Sequence, residues 1–218
     1  DAIAGNLTVS GGSVVLQAAN QIKNTANVVV SGGTLDIGAN DETVNNVKMT
    51  SGSLLGTSGT LSSGTAFDMQ GGSAGAILGG TAGLTASAGT TTLSKANTYT
   101  GTTTVSGGTL NVSGTLAAAG SLAVSGGTFD LQTNTQQFAG VQQTGGTIQN
   151  ETVTLNAENY DLQGGTVSAV LAGTAGANVT VGTTTYSGSG ANTYAGLTTV
   201  SAGTLNLNKT AGTDAIAG

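Results

Sequence analysis

Apolar residues fall two apart along this chain, in short runs separated by glycine. Leu7 and Val9 are followed by Val14 and Leu16, Val28 and Val30 by Leu35 and Ile37, and Leu122 and Val124 by Phe129 and Leu131. A period of two sends alternate side chains to opposite faces of a strand, one face buried and the other wet. A glycine pair lies between the two runs of many units: Gly11-Gly12, Gly32-Gly33, Gly126-Gly127, Gly145-Gly146 and Gly164-Gly165. Glycine tolerates positive φ, so these pairs are read as corners. Each unit is then two or three short strands joined by tight corners. No window shows a 3.6-residue period, and Gly, Thr, Ser, Val and Asn are poor helix formers.

The unit repeats. With the first glycine position of each Val-Ser-Gly-Gly-Thr-Leu-like segment as a marker, clear markers stand at 11, 32, 51, 71, 107, 126, 145, 164 and 202. Weaker ones fall at Ala88 and Val181, and the successive steps are 21, 19, 20, 17, 19, 19, 19, 19, 17 and 21. Strand length does not by itself distinguish an antiparallel sandwich, but repetition at a fixed period favours a solenoid in which each turn stacks on the last. The expected fold is all-β, a right-handed parallel β-helix of about 11 turns of about 19 residues. Residues 1–218 form a single domain in this reading. Right-handed winding is chosen because the hexapeptide signature of left-handed β-helices is missing. Strands about 4.8 Å apart would make a stack roughly 50 Å long.

Composition narrows the function. The chain has 218 residues, 38 of them Gly, with no Pro, Cys, His or Trp and a net charge of −6. Its only cations are Lys23, Lys48, Lys95 and Lys209. Charged residues make up 6%, against about 25% in ordinary globular domains. Disorder is opposed by the low charge and the regular apolar spacing. A chain made mostly of central strand should lack Pro, which cannot donate to a ladder. Without Cys there is no disulfide or thiolate site. The acidic balance excludes a phosphate-binding surface, so no nucleic acid partner is expected. No apolar run is long enough for a membrane span.

Two stretches match each other closely. Leu93-Ser94-Lys95-Ala96-Asn97-Thr98-Tyr99-Thr100-Gly101-Thr102-Thr103-Thr104-Val105-Ser106-Gly107-Gly108-Thr109-Leu110 is followed 95 residues later by a second copy. That copy runs Ser189-Gly190-Ala191-Asn192-Thr193-Tyr194-Ala195-Gly196-Leu197-Thr198-Thr199-Val200-Ser201-Ala202-Gly203-Thr204-Leu205. The shared core resembles the passenger-associated transport repeat, also called the autotransporter-associated β-strand repeat. The resemblance rests on Asn97, Tyr99, Gly101, Val105, Gly107, Gly108 and Leu110, and on Asn192, Tyr194, Gly196, Val200, Gly203 and Leu205. Ala202 stands where the first copy has its first glycine. The resemblance implies a β-helix carried outside a Gram-negative-type envelope, with repeats that assist secretion or folding. The location it implies is extracellular, at the bacterial cell surface.

No catalytic, cofactor or metal residues are assigned, and the chain is expected not to be an enzyme. A Ser–His triad is impossible without His. Paired acids can cleave glycosides, and Asp41 with Glu42, or Glu151, Glu158 and Asp161, are the candidates. They read more simply as solvated loop charge. Asp36 and Asp130 follow two glycine corners at equivalent places, with Asn111 and Asn206 at other turns, which suggests a polar ladder rather than a calcium row. Threonine runs at 90–92, 102–104 and 183–185 would suit an ice face only if they shared a register, and by spacing they do not. Asp1-Ala2-Ile3-Ala4-Gly5 recurs as Asp214-Ala215-Ile216-Ala217-Gly218. This suggests one period of a longer tandem or end-to-end stacked array. The expected function is a structural segment of a surface fibre, filament or matrix protein, with further copies of itself as partner. The alternative is an adhesin whose partner is a cell-surface glycan or host protein. The longest departures from the repeat, near 17–27, 38–48 and 77–96, are not rich in aromatics, which favours the structural reading.

Overall fold

The computed structural model describes residues 1–132, 134–150 and 154–218, with Thr154 and Leu155 described in backbone only. It is all-β: among the described residues there is no helix, and every strand pairing is parallel. The chain winds as a β-solenoid with three sides.

On the first side, the strands before each corner stack from Leu7–Val9 through Thr103–Val105 to Thr198–Val200. Eleven strands lie in this column, linked by ten coils. Their register steps are 21, 19, 20, 17, 19, 19, 19, 19, 17 and 21 residues. These are the steps between the sequence markers, including those that passed through Ala88 and Val181. The second side begins after the corner, from Ser13–Val15 to Thr204–Lys209. In the first half of the chain the strands Asn27–Asp36, Asn46–Ser63 and Gly72–Gly79 run round a corner without a break.

The third side is less regular. It includes Glu42–Val44 and the later parts of the long strands, then a separate three-stranded sheet of Gln136–Phe138, Thr154–Ala157 and Val170–Ala172. Elsewhere on this side, among the described residues, strand pairing is reduced to isolated bridges, Ile3 with Ile22 and Ala96 with Thr115.

Inward positions form one continuous core of aliphatic and aromatic side chains running the length of the solenoid. All seven aromatic residues lie in it: Phe67, Phe129, Phe138, Tyr99, Tyr160, Tyr186 and Tyr194. Full burial of each large apolar side chain contributes about 1.5–3 kcal/mol. The gain offsets the ordering entropy of a glycine-rich backbone only when summed over many coils.

The corner glycines are needed for two reasons, close stacking and backbone conformation. In Gly126-Gly127 the second residue has φ 62°, in the left-handed region, while the first does not. A Cβ on Gly126 would stand 2.6 Å from the carbonyl oxygen of Ser106 in the coil beneath. A Cβ on Gly127 would likewise meet the backbone of Gly107 and Gly108, so close stacking requires both glycines and the positive φ adds a conformational requirement at the second. At Gly32-Gly33 the order is reversed, with the positive φ of 153° on Gly32.

Candidate functional site

The two matching stretches adopt the same geometry. Each begins where the register shifts. The first-side steps Phe67 to Leu84 and Tyr160 to Ala177 are 17 residues, two short of the period. On the second side the steps across the same coils, Ala74 to Leu93 and Val167 to Tyr186, stay at 19. The missing pair is restored at the corner, which carries two additional residues. A two-residue shift preserves the alternation of inside and outside, whereas a one-residue shift would invert it. Its consequence is a buried threonine at each long corner. Thr91 sits over Gly72, and Thr184 over Gly165. Both are fully buried, and neither hydroxyl has a hydrogen-bond partner.

On the third side the two asparagines are buried. Asn97 Oδ1 accepts from the Leu78 amide at 2.9 Å, and its Nδ2 donates to the Lys95 carbonyl at 2.9 Å. Asn192 Oδ1 accepts from the Leu171 amide at 3.0 Å, and its Nδ2 donates to the Ala215 carbonyl at 2.7 Å. In each case the amide lies on a strand of the preceding coil, and the side chain takes it where no strand of the next coil is paired.

The tyrosines point into the core. Tyr99 and Thr103 share a hydrogen bond between hydroxyls at 2.8 Å, and Tyr194 and Thr198 share one at 2.5 Å. Tyr99 packs on Phe67 with ring centroids 6.2 Å apart, and Tyr194 on Tyr160 at 6.4 Å. In both copies the partner ring stands two strands earlier on the first side, and the tilted geometry suits aromatic pairs. Burial pushes the Tyr99, Tyr160 and Tyr186 phenols far above their ordinary range; the Thr103 bond opposes this at Tyr99 and backbone bonds oppose it at Tyr160.

Gly101 and Gly196 are held by space rather than by φ, whereas Gly108 and Gly203 have positive φ of 62° and 81°. A Cβ on Gly101 would meet the backbone of Ala82 and Gly83, and one on Gly196 the backbone of Ala175 and Gly176. Val105 and Leu110 are fully buried in the first copy. Their counterparts in the last coil are not: Val200 is exposed and Leu205 only partly buried.

Residues 86–112 and 182–207 match the passenger-associated-transport-repeat. The two repeats contain both matching stretches and begin at the two register shifts. No curated protein and no solved structure matches the chain. A parallel solenoid carrying two such repeats is similar to an autotransporter passenger β-helix, as the sequence resemblance implied.

Phe67 and Tyr160 complete each repeat but were not singled out in the sequence; Thr91, Thr103 and Thr184 stood out there only as members of threonine runs, and Thr198 only within the second stretch. Thr103 and Thr198 lie inside the quoted motif, at the same place in both copies. Phe67 and Tyr160 precede the matches and become neighbours only through stacking.

The acidic residues are dispersed. Asp41 is exposed and accepts from the Thr60 amide at 2.8 Å. Glu42, expected in solvent beside it, is instead buried, with 1% of its surface exposed. Strand alternation separates the neighbours, turning Asp41 outward and Glu42 inward. Glu158 is exposed, Asp161 accepts from Gln142 and Gln163, and Glu151 lies outside the described residues. Asp36 and Asp130 each cap the amide two residues on, Gly38 and Gln132. Asp130 stands in the expected polar ladder between Asn111 and Gln149, whereas Asn206 pairs with Thr185. Among the described residues no group of three acids is placed to hold a metal ion, and no helix is long and apolar enough to cross a membrane.

On six successive coils one threonine does come into register, although the runs do not. Thr90, Thr109, Thr128, Thr147, Thr166 and Thr185 stack on six successive strands of the second side. Thr90, Thr109, Thr128, Thr147 and Thr166 each directly follow a corner glycine, which was the signal, while Thr185 lies at the end of the 183–185 run. A shallow trough of about 320 Å³ runs along the first side, lined by Thr102, Ser121, Gly140, Gln142, Asn159 and Asp161.

Proposed function

We propose that this chain is a structural, non-enzymatic segment of an extracellular bacterial surface fibre, exported as a passenger-type solenoid. The observation that carries the reading is the continuous parallel register over eleven first-side strands, with every aromatic ring turned inward. A surface without aromatic platforms suits a spacer better than a glycan-binding adhesin, because tyrosine and tryptophan are the usual anchors of recognition surfaces. The six-threonine column gives the same surface at six successive coils, as a uniform rod would. The partner in this reading is a further copy of the chain, stacked end to end.

Electron microscopy and light scattering of the purified chain over a range of concentrations test this. Unbranched filaments with a continuous strand spacing of about 4.8 Å along the axis are expected. A monomer at every concentration that binds a defined glycan would establish the adhesin reading instead.

A further inference from the structure

Asn97 and Asn192 are not alone in their task. Glu42 Oε2 accepts from the Gln21 amide at 2.7 Å and the Ile22 amide at 3.2 Å. Gln136 Oε1 accepts from the Leu116 amide at 3.0 Å, and its Nε2 donates to the Gly114 carbonyl at 2.9 Å. All four side chains are buried, between 1% and 4% exposed. All four sit on the third side, and each takes an amide 19 to 21 residues earlier in the chain. Neither Glu42 nor Gln136 falls in a matched repeat. The arrangement therefore belongs to the solenoid, and the repeats contain two instances of it.

The physical reason lies in the broken third side. Where coils meet without a strand ladder, an inward amide has no carbonyl to bond, and burying it unpaired costs about 1–3 kcal/mol. A carboxamide or carboxylate projecting from the next coil supplies the acceptor. The acceptor is always on the later coil and the amide on the earlier one, so the bond closes only after the later coil has docked in register. A slip of one residue would turn the polar group outward and leave the amide buried.

We propose that Glu42, Asn97, Gln136 and Asn192 are register latches, each fixing the coil that carries it onto the coil before. This gives the transport repeat a physical task in folding that is independent of whether the chain forms fibres. In each repeat the latch is backed by the nearby Tyr–Thr bond, so docking and core filling are completed together.

Residue-resolved hydrogen exchange on the whole chain tests the proposal, with Asn97→Ala and Asn97→Asp compared to the wild type. Asp keeps the acceptor oxygen and loses only the donor, and Glu42 shows that a carboxylate is accommodated at such a position. In Asn97→Ala the Leu78 amide should exchange at least tenfold faster, while the ladder amides of Leu84 and Leu122 on the first side keep their protection. In Asn97→Asp the Leu78 amide should stay within about threefold of wild type. An unchanged Leu78 amide in the alanine variant, or a uniform loss over all amides, would overturn the proposal. So would equal loss in both variants, or failure of both to fold. If only the alanine variant fails to fold, protection of Leu78 in the aspartate variant decides in favour.

Discussion

The same substitution, glycine to alanine, should have opposite effects at Gly101 and Gly140. Neither residue has a positive φ, so left-handed strain is absent at both sites and the surroundings decide. A Cβ on Gly101 would lie 2.6 Å from the Ala82 carbonyl carbon and 2.7 Å from the Gly83 Cα, both backbone atoms of the coil beneath. Contacts under 3.0 Å are essentially never made by a real Cβ, so the two coils must separate by several tenths of an ångström at least. Forcing a methyl into a packed site costs about 1–3 kcal/mol. Separation also stretches the bond from the Leu84 amide to the Thr102 carbonyl, 3.0 Å in this structure, worth about 1 kcal/mol. A destabilisation of about 2–4 kcal/mol follows. At Gly140, by contrast, a Cβ meets nothing within 4 Å. There alanine only restricts the unfolded chain, which stabilises by about 0.4–1 kcal/mol. Urea denaturation followed by circular dichroism measures both, since a change of midpoint at constant slope reports stability. The midpoint should fall for Gly101→Ala and rise slightly for Gly140→Ala. Equal losses at the two sites would refute the claim that stacking distance, rather than strand glycine as such, sets the requirement.

Three further outcomes follow from the core. Glu42→Gln should raise stability by about 1 kcal/mol at neutral pH, because Glu42 Oε1 is buried without a partner and Gln136 shows how a carboxamide fills the same role; a lower urea midpoint would show that the carboxylate strengthens its two amide bonds by more than burial of the charge costs. Phe129→Ala removes a fully buried ring packed on Phe138 at 6.0 Å and should cost about 3–5 kcal/mol, read as a fall in the same midpoint. Alkali should unfold the chain: Tyr99, Tyr160 and Tyr186 have phenols raised by burial, so their contribution is complete below the unfolded value of about 10 and is lost above it, at about 1.4 kcal/mol per pH unit for each. Tyrosinate absorbance should therefore appear together with loss of strand signal, and gradual ionisation of a folded chain would contradict the burial.

Much of the architecture could be read from the residues alone. A period of two fixed which side chains face inward, and the Gly-Gly-Thr corners fixed the coil length. The weak markers at Ala88 and Val181 proved to be true coils, because spacing constrains a stack even where the corner residues change. The repeat residues Asn97, Tyr99 and Gly101 were likewise visible, since two copies 95 residues apart leave a local trace. Glu42 was misread because adjacent acids look alike in a sequence, while alternation sends one into water and the other inside. Phe67 and Tyr160 left no trace, because their partners Tyr99 and Tyr194 are 32 and 34 positions away.

By itself, then, the order of residues determined coil length, corner placement and the inward face, since these depend on neighbours two to five positions apart. Only the stacked structure decided which amides lack a ladder partner and which buried side chains complete them. Those bonds join atoms about 20 residues apart, and they exist only once one coil has settled on another.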